Sequence, residues 1–287
     1  MKVLVLGATG MLGHDIMHIF MEKKGWQVYG TVRTPSSRDF FPDKFADFLV
    51  GNYDVENRND LESLFLRIKP EVVVNCISLS KKILATNDPL KIIPIYAMLP
   101  HQLSALCREF NARFIHMSSD GIFSGAKGNY IETDFADSQD IYGRSKYLGE
   151  VHSRHAITLR TSIIGHELRG KEGLIEWFLS QKTKCKCFSK AIYSGLPTVV
   201  LAQIIRDIII PRPDLFGVYH IASNPISKCD LLQLVAKVYD KSIEIISDKE
   251  VMIDRSLNAD RFRFATGYTP PSWLELIKTM HSYQYFL

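Results

Sequence analysis

The chain of 287 residues lacks a long apolar run and a strong charge of either sign. The closest candidate for a membrane span, residues 199–210, is interrupted by Gln203, Arg206 and Asp207, whereas such a helix needs about 18 apolar residues. The run Val3–Leu6 is too short for a signal peptide. Lys and Arg (35) nearly balance Asp and Glu (31), and the net charge of +4 does not favour a nucleic-acid partner. We therefore expect no membrane and no nucleic acid as partner, whereas an anionic small molecule is compatible with this charge.

Cysteine is sparse, and its odd total of five indicates a reducing compartment, so we expect a cytoplasmic location. Cys185 and Cys187 lack the CxxC spacing of zinc and redox sites, and we interpret them as two thiols in a basic surface segment over residues 182–190. His14 and His18 lie one helical turn apart, but no third ligand is recognisable. We expect no metal site.

Strand-like and helix-like segments alternate through the first half of the chain. Short apolar runs predict strands over residues 2–6, 27–32, 48–50, 72–76, 113–118 and 157–160. Helical periodicity predicts helices over residues 11–24, 60–68, 89–110 and 141–152, the third of them kinked or broken at Pro94 and Pro100. This βαβ alternation predicts an α/β fold, with a Rossmann-like doubly wound parallel sheet.

The alternation weakens after about residue 160, where prolines and glycines separate the remaining helical and strand-like segments. We therefore expect two parts. Residues 1–162 would form a dinucleotide-binding Rossmann domain that carries the catalytic residues. Residues 163–287 would form mainly a smaller C-terminal substrate-binding lobe, from which some segments return to the main domain.

Three glycines, Gly7, Gly10 and Gly13, lie between the first strand and the first helix. Glycines permit the tight turn and the close approach of a phosphate, and a helix N-terminus supplies free N–H groups and a positive dipole end. The spacing is GxxGxxG rather than GxGxxG. The prediction of a phosphate site therefore depends on the position of the glycines between a strand and a helix. A pyrophosphate site is expected to be formed by Gly7, Thr9, Gly10, Met11, Leu12 and Gly13.

The residues after the second strand bear on the choice of dinucleotide. An acidic residue there would bind the ribose hydroxyls of NAD, but this chain has Arg33, which can pair with the additional phosphate of NADP. We therefore favour NADP(H) over NAD(H), with Arg38 as a rival for the same role. Further cofactor contacts are expected from the ends of the third and fourth strands, at Asp54, Val55, Asn75 and Cys76. Asp54 is equally suited to capping a turn.

Tyr142 and Lys146 stand at i and i+4, so a helix places them on one face. A phenol with a pKa near 10 is a poor acid–base group at neutral pH, and a neighbouring ammonium favours its phenolate. Lys146 can also bond the cofactor ribose. Ser118, Ser119 and Asp120 end the predicted fifth strand, where ligands of such sheets bind. Ser119 can polarise a substrate carbonyl beside the tyrosine, and one of the two serines can instead cap the following loop.

The chain resembles the extended short-chain dehydrogenases/reductases, and within them the dTDP-4-dehydrorhamnose reductase family of nucleotide-sugar reductases. Residues 118–125 (SSDGIFSG) resemble that family's STDYVFDG. The glycine motif, Val73–Asn75, the Tyr142–Lys146 motif, Leu159–Ser162 and Pro271–Trp273 extend the resemblance along nearly the whole chain.

The resemblance implies Tyr142 as general acid, Lys146 as its partner and Ser119 in the family's Ser/Thr position. It also implies hydride delivery from NAD(P)H to a keto group on a nucleotide-linked deoxysugar. Ser118, Ser119, Asp120 and Arg255 would contact the substrate, Arg255 at its phosphate. Members of the family often dimerise, so a homodimer is possible. The chain departs from the family at Tyr96, where relatives commonly carry Asn, and over residues 161–165, where an aromatic residue is missing.

Three alternatives share the fold. A 4,6-dehydratase needs Asp followed by Glu, but here Gly121 follows Asp120. A nucleotide-sugar epimerase usually holds NAD through an acid after the second strand, which Arg33 opposes. The third alternative is a non-catalytic NADP-binding protein that resembles the β subunit of methionine adenosyltransferase. The intact set of Ser119, Tyr142 and Lys146 argues against this alternative but does not exclude it. We favour a 4-keto-6-deoxysugar reductase. In its reaction the carbonyl carbon receives a hydride and the carbonyl oxygen receives a proton from Tyr142.

Overall fold

A computed structural model describes residues 1–283 and confirms the predicted α/β fold. The strands are β1 (Lys2–Leu6), β2 (Gln27–Thr31), β3 (Leu49–Val50), β4 (Val72–Asn75), β5 (Arg113–Met117), β6 (Ala156–Arg160), β7 (Ile163–Ile164), β8 (Lys184–Tyr193), β9 (Leu196–Pro197), β10 (Gly217–His220), β11 (Ile226–Ser227) and β12 (Glu244–Asp254). The helices are α1 (Met11–Met21), α2 (Arg58–Ile68), α3 (Lys81–Ala85), α4 (Pro89–Ile93), α5 (Leu99–Glu109), α6 (Ile141–Leu148), α7 (Leu174–Ser180), α8 (Thr198–Ile204), α9 (Lys228–Val238), α10 (Asp260–Thr266) and α11 (Trp273–Ser282).

The central sheet has seven strands in the order β10-β6-β5-β4-β1-β2-β3. The pairings that join β3, β2, β1, β4, β5 and β6 are all parallel. Residues 3–6 of β1 are fully buried, as expected for a strand with both faces covered. The strand order reverses between β1 and β4, and ligands of such sheets bind outside the carboxyl ends of the strands at such a switch point. The glycine motif follows β1 at that place.

The predicted interruption of the third helix is confirmed. α4 ends at Ile93, a π-helical turn occupies Pro94–Met98, and α5 begins at Leu99. Proline has no N–H, so Pro100 cannot donate to the carbonyl of residue 96, four residues earlier, as an α-helix requires. The π-helical turn is compatible with this missing bond. Within it, Leu99 N donates to the Pro94 carbonyl, five residues earlier, rather than to a carbonyl four residues earlier.

The chain forms two compact units. The first comprises residues 1–118, 140–159 and 202–218, and the second comprises residues 119–139, 160–201 and 219–287. In the second unit, β8 pairs antiparallel with β11 and parallel with β12, and β7 pairs with β9. The sequence analysis divided the chain by function, into a dinucleotide-binding domain over residues 1–162 and a substrate-binding lobe over residues 163–287. That division does not coincide with the two compact units and stays a prediction.

Two local predictions were wrong. The helix that starts at Ile141 ends at Leu148 rather than residue 152. Residues 182–190 do lie largely at the surface, but the prediction of two free thiols there was wrong, because Cys185 and Cys187 point to the buried face of β8 and Cys187 is in a disulfide. β11 pairs with β8 and leads directly into α9, which brings Cys229 to Cys187, and the two form a disulfide with their Cα atoms 4.9 Å apart.

Candidate active site

The glycine motif forms a tight loop between β1 and α1. Gly7 has a φ of +82°, a conformation that favours glycine, and its N–H donates a hydrogen bond of 2.9 Å to Thr31 Oγ1. A Cβ atom on Gly13 would overlap the Gly7 carbonyl, so the first turn of α1 packs directly on the loop. Gly10 is the N-cap and offers no side chain to the N–H groups of that turn. The loop thus leaves donors for an anion.

The two arginines after β2 differ in their surroundings. Arg38 donates a hydrogen bond of 3.1 Å from Nη2 to the Leu49 carbonyl. Arg33 is exposed, and within residues 1–283 it forms no hydrogen bond or ion pair. Arg33 is therefore the arginine whose guanidinium is free to contact a phosphate.

Asp54, after β3, caps a turn, because its Oδ1 accepts a hydrogen bond of 2.9 Å from Glu56 N. The predicted contacts of Asp54 and Val55 with the cofactor stay predictions.

Asn75 ends β4, and Cys76 follows it beside the glycine loop. The buried Asn75 side chain accepts from Ile77 N at 3.1 Å and lies 3.3 Å from His116 Nδ1. A Cβ atom on Gly7 would stand 3.1 Å from the Cys76 carbonyl oxygen, so these two loops are in contact. Burial raises the pKa of the Cys76 thiol to about 12 and keeps it neutral.

Lys146 is buried and donates a hydrogen bond of 2.9 Å from Nζ to the Met117 carbonyl at the end of β5. Asp140 caps α6 through Gly143 N at 2.7 Å, and the helix places Tyr142 one turn before Lys146. Burial lowers the pKa of Lys146 to about 8, and the negative charge of Glu150 acts in the opposite direction. The ammonium therefore loses its proton just above neutral pH.

Ser118 follows Met117 at the end of β5 and is also buried. Its hydroxyl donates a hydrogen bond of 2.7 Å to Glu150 Oε1. The hydroxyl proton of Ser118 is thus bonded to Glu150, whose charge acts on Lys146. The predicted contact of Ser118 with the substrate stays a prediction.

The second unit contains the other predicted substrate residues. Ser119 Oγ caps the turn that follows, accepting from Gly121 N at 2.9 Å, and lies 3.3 Å from Asp120 Oδ1. Burial raises the pKa of Asp120 to about 6, and the positive charge of Arg255 and hydrogen bonds from Ser119 and Ser162 oppose that increase. Within this unit the fold thus brings Ser119, Asp120 and Arg255 together.

Tyr193, the last residue of β8, is a candidate that the sequence analysis missed. Its hydroxyl is buried and forms no hydrogen bond in the described part of the chain, and the same holds for Nε of Arg255. Burial and the charge of Asp120 raise the pKa of Tyr193 above its usual value, so it remains a phenol. A buried donor without a partner is costly, which makes this hydroxyl a candidate ligand contact.

Sequence reasoning also missed Glu150. In the sequence it is one more polar residue after the Tyr142–Lys146 motif, and only the structure shows that it is buried with its charge close enough to act on Lys146. No sequence signal separated it from an exposed glutamate. Tyr193 had a weak signal, since the alternation of Lys and Cys over residues 184–187 has the period of a strand that leads to it.

Residues 1–278 match the family model described as "RmlD substrate binding domain". The chain belongs to that family. A curated dTDP-4-dehydrorhamnose reductase from Aggregatibacter actinomycetemcomitans is 23% identical over 98% of this chain and 99% of its own length. A methionine adenosyltransferase 2 subunit beta from Bos taurus is 24% identical over 52% of this chain and 41% of its own length. The resemblance stated from the motifs is therefore confirmed.

Solved structures of the family share the fold. A crystal structure of dTDP-4-dehydrorhamnose reductase from Bacillus anthracis, in complex with NADP, superimposes with a TM-score of 0.80, 18% identity and 99% coverage of both chains. Within residues 1–283, no group of three or more His, Cys, Asp or Glu residues is arranged to hold a metal ion. The described helices include none that is both long and apolar enough to cross a membrane.

Proposed function

We propose that the protein is an NADPH-dependent reductase of a nucleotide-linked 4-keto-6-deoxysugar. The observation that carries the proposal is the Tyr142–Lys146 pair on α6, with its ammonium buried and fixed to the end of β5. A buried cation one helical turn from a phenol lowers the cost of the phenolate that forms when the phenol gives up its proton. Membership in the family and the names of its full-length relatives support the same activity.

The residues of the first unit fit a dinucleotide. The glycine loop would hold the pyrophosphate, Arg33 the phosphate that distinguishes NADPH from NADH, and the β4 loop at Asn75 and Cys76 the ribose and nicotinamide end. NADPH supplies the hydride when it is bound there. The relative from Bacillus anthracis was crystallised with NADP, which agrees with this choice.

In the proposed reaction, the carbonyl carbon accepts the hydride and Tyr142 donates its phenolic proton to the carbonyl oxygen. The ketone becomes an alcohol, and the Tyr142 phenolate then takes a proton from solvent. Lys146 stabilises the phenolate while it exists. Ser119 polarises the carbonyl, and Ser118, Asp120 and Arg255 are proposed as further substrate contacts, Arg255 at a phosphate.

The experiment measures NADPH and NADH oxidation by the protein with a panel of dTDP- and UDP-linked 4-keto-6-deoxysugars generated enzymatically. We expect turnover with a member of the panel and a preference for NADPH. Tyr142→Phe should reduce kcat at least 100-fold and leave the Kd for NADPH within about twofold. Tyr147→Phe, on the exposed side of the same helix, is the matched control and should retain activity.

Tight NADPH binding without turnover on any substrate would contradict the reductase proposal and favour the regulatory alternative. We also propose a nucleotide-sugar substrate as the principal partner. A cytoplasmic location stays a proposal, and the disulfide between Cys187 and Cys229 argues against its original ground, because a reducing compartment keeps thiols free. A homodimer is a further proposal that sedimentation tests, since a single species at 32.7 kDa would contradict it.

A further inference from the structure

Tyr96 is almost completely buried. The Lys146 ammonium lies 4.6 Å from the centre of its ring. The Tyr142 ring meets the Tyr96 ring edge to face, with centroids 5.3 Å apart and planes at 87°. One aromatic side chain therefore contacts both residues of the proposed acid–base pair.

The other end of Tyr96 is fixed to the loop after β4. Its hydroxyl accepts a hydrogen bond of 2.8 Å from Leu79 N and shares a bond of 2.9 Å with Ser78 Oγ. This loop continues from Asn75 and Cys76, the proposed contacts of the nicotinamide end. Tyr96 thus connects two parts of the proposed site: the loop after β4, which would hold the cofactor, and α6, which carries the proposed acid Tyr142.

The backbone of Tyr96 packs against the end of α6. Tyr96 lies in the π-helical turn Pro94–Met98, and Pro100 cannot donate to its carbonyl. α6 ends at the C-cap Gly149, and a Cβ atom there would overlap the Tyr96 carbonyl oxygen. The close approach of these two segments brings the ring under the Lys146 side chain.

We propose that Tyr96 is a positioning residue, an aromatic platform that holds the Lys146 ammonium by a cation–π contact and orients the Tyr142 ring. The role rests on the proposed function of Tyr142 and Lys146. The face of an aromatic ring is negative, so it stabilises the charged form of Lys146 in surroundings that otherwise disfavour a charge. An asparagine at this position can offer a hydrogen bond but no such face.

Other groups also act on the Lys146 ammonium, and each must stay unchanged in the test. The negative charge of Glu150 and the thiol of Cys76 face it, Met117 accepts its hydrogen bond, and His116 on β5 has its pKa lowered by burial and by the Lys146 charge. Tyr142 lies one helical turn before it on α6. A substitution at position 96 leaves all five in the chain.

The direct experiment follows the 15Nζ chemical shift of Lys146 against pH in protein labelled with 15N-lysine, the signal being assigned with Lys146→Met. It needs neither cofactor nor substrate. Wild type and Tyr96→Phe, which keeps the ring, should titrate at nearly the same pH. Tyr96→Met, which fills the space without a ring, should titrate about one pH unit lower. Tyr96→Asn is a second variant without a ring and should shift in the same direction.

The activity readout is the alkaline limb of kcat/KM for NADPH oxidation with the substrate found in the panel. The variants without a ring should move that limb to lower pH and reduce kcat about tenfold, with a Kd for NADPH that changes little. Equal titration of Lys146 in wild type, Tyr96→Met and Tyr96→Asn would overturn the platform. If no panel substrate is reduced, the proposed function fails while the NMR titration still tests the platform.

Discussion

Ser118 donates a hydrogen bond of 2.7 Å to Glu150, and both side chains are buried within the unit that contains Lys146. A carboxylate in this place is an electrostatic component of the site, since its charge raises the pKa of the Lys146 ammonium against the effect of burial. The acid–base pair therefore depends on a residue that contacts neither proposed substrate nor proposed cofactor.

The first prediction concerns this charge. Glu150→Gln keeps an acceptor for Ser118 and removes the negative charge, so the pKa of Lys146 should fall further below its present value of about 8. We expect the alkaline limb of kcat/KM to move to lower pH by about half a unit to one unit. Rates at pH 9 should therefore fall more than rates at pH 7.

The control for this prediction is Glu56→Gln, which removes an exposed carboxylate of the same unit. It should leave the pH profile unchanged. A Glu150→Gln profile that superimposes on wild type would show that Glu150 holds Ser118 for packing alone.

The second prediction concerns the dinucleotide. Arg33→Ala should raise the KM for NADPH about tenfold or more and leave the KM for NADH nearly unchanged, because a charge-assisted bond to the additional phosphate would be lost. Arg38→Ala is the matched control, since its guanidinium is bonded to the Leu49 carbonyl. Initial rates with both cofactors provide the measurement, and equal effects of Arg33→Ala on the two cofactors would refute the role.

The third prediction concerns the Tyr193 hydroxyl. Tyr193→Phe removes a buried donor that lacks a partner, so the free energy of unfolding should rise by about 1 kcal/mol. If the hydroxyl binds the sugar, the KM for the nucleotide sugar should rise about tenfold while the Kd for NADPH stays constant. Urea unfolding and initial rates give both values.

Tyr239→Phe provides the comparison within the same unit, because the Tyr239 hydroxyl bonds His166 Nε2 at 2.8 Å. Loss of that bond should lower the free energy of unfolding by about 1 kcal/mol, the opposite sign. A more stable Tyr193→Phe protein with an unchanged KM would mean that the hydroxyl has no ligand.

The fourth prediction concerns the disulfide between Cys187 and Cys229. The cysteines are 42 residues apart, and closing a loop of this length should raise the free energy of unfolding by about 4 kcal/mol over the reduced protein. Denaturant unfolding with and without reductant tests this value, with Cys185→Ala as the control that keeps the bond. Alkylation and mass spectrometry that find both thiols free in protein purified without reductant would contradict the bond.

The sequence was sufficient for the elements whose pattern is local. The buried strands β1 and β4, the glycine loop and the pair Tyr142–Lys146 follow from short runs and from helical spacing. β8 was missed although its alternation of Lys and Cys is visible, because its basic composition suggested a surface. Contacts between distant residues, such as Asp120 with Tyr193 or Cys187 with Cys229, depend on tertiary packing, which no local pattern encodes.

The interleaved segments of the two units constrain how the protein is made. The first unit receives its final segment, residues 202–218, only after residues 160–201 of the second unit have been synthesised. β6 has β10 as its outer neighbour in the sheet, so a nascent chain that has reached only residue 162 exposes an unpaired edge at β6. Completion of the dinucleotide-binding sheet on the ribosome must therefore wait until β10 has emerged, and no single cut in the gene releases either unit intact.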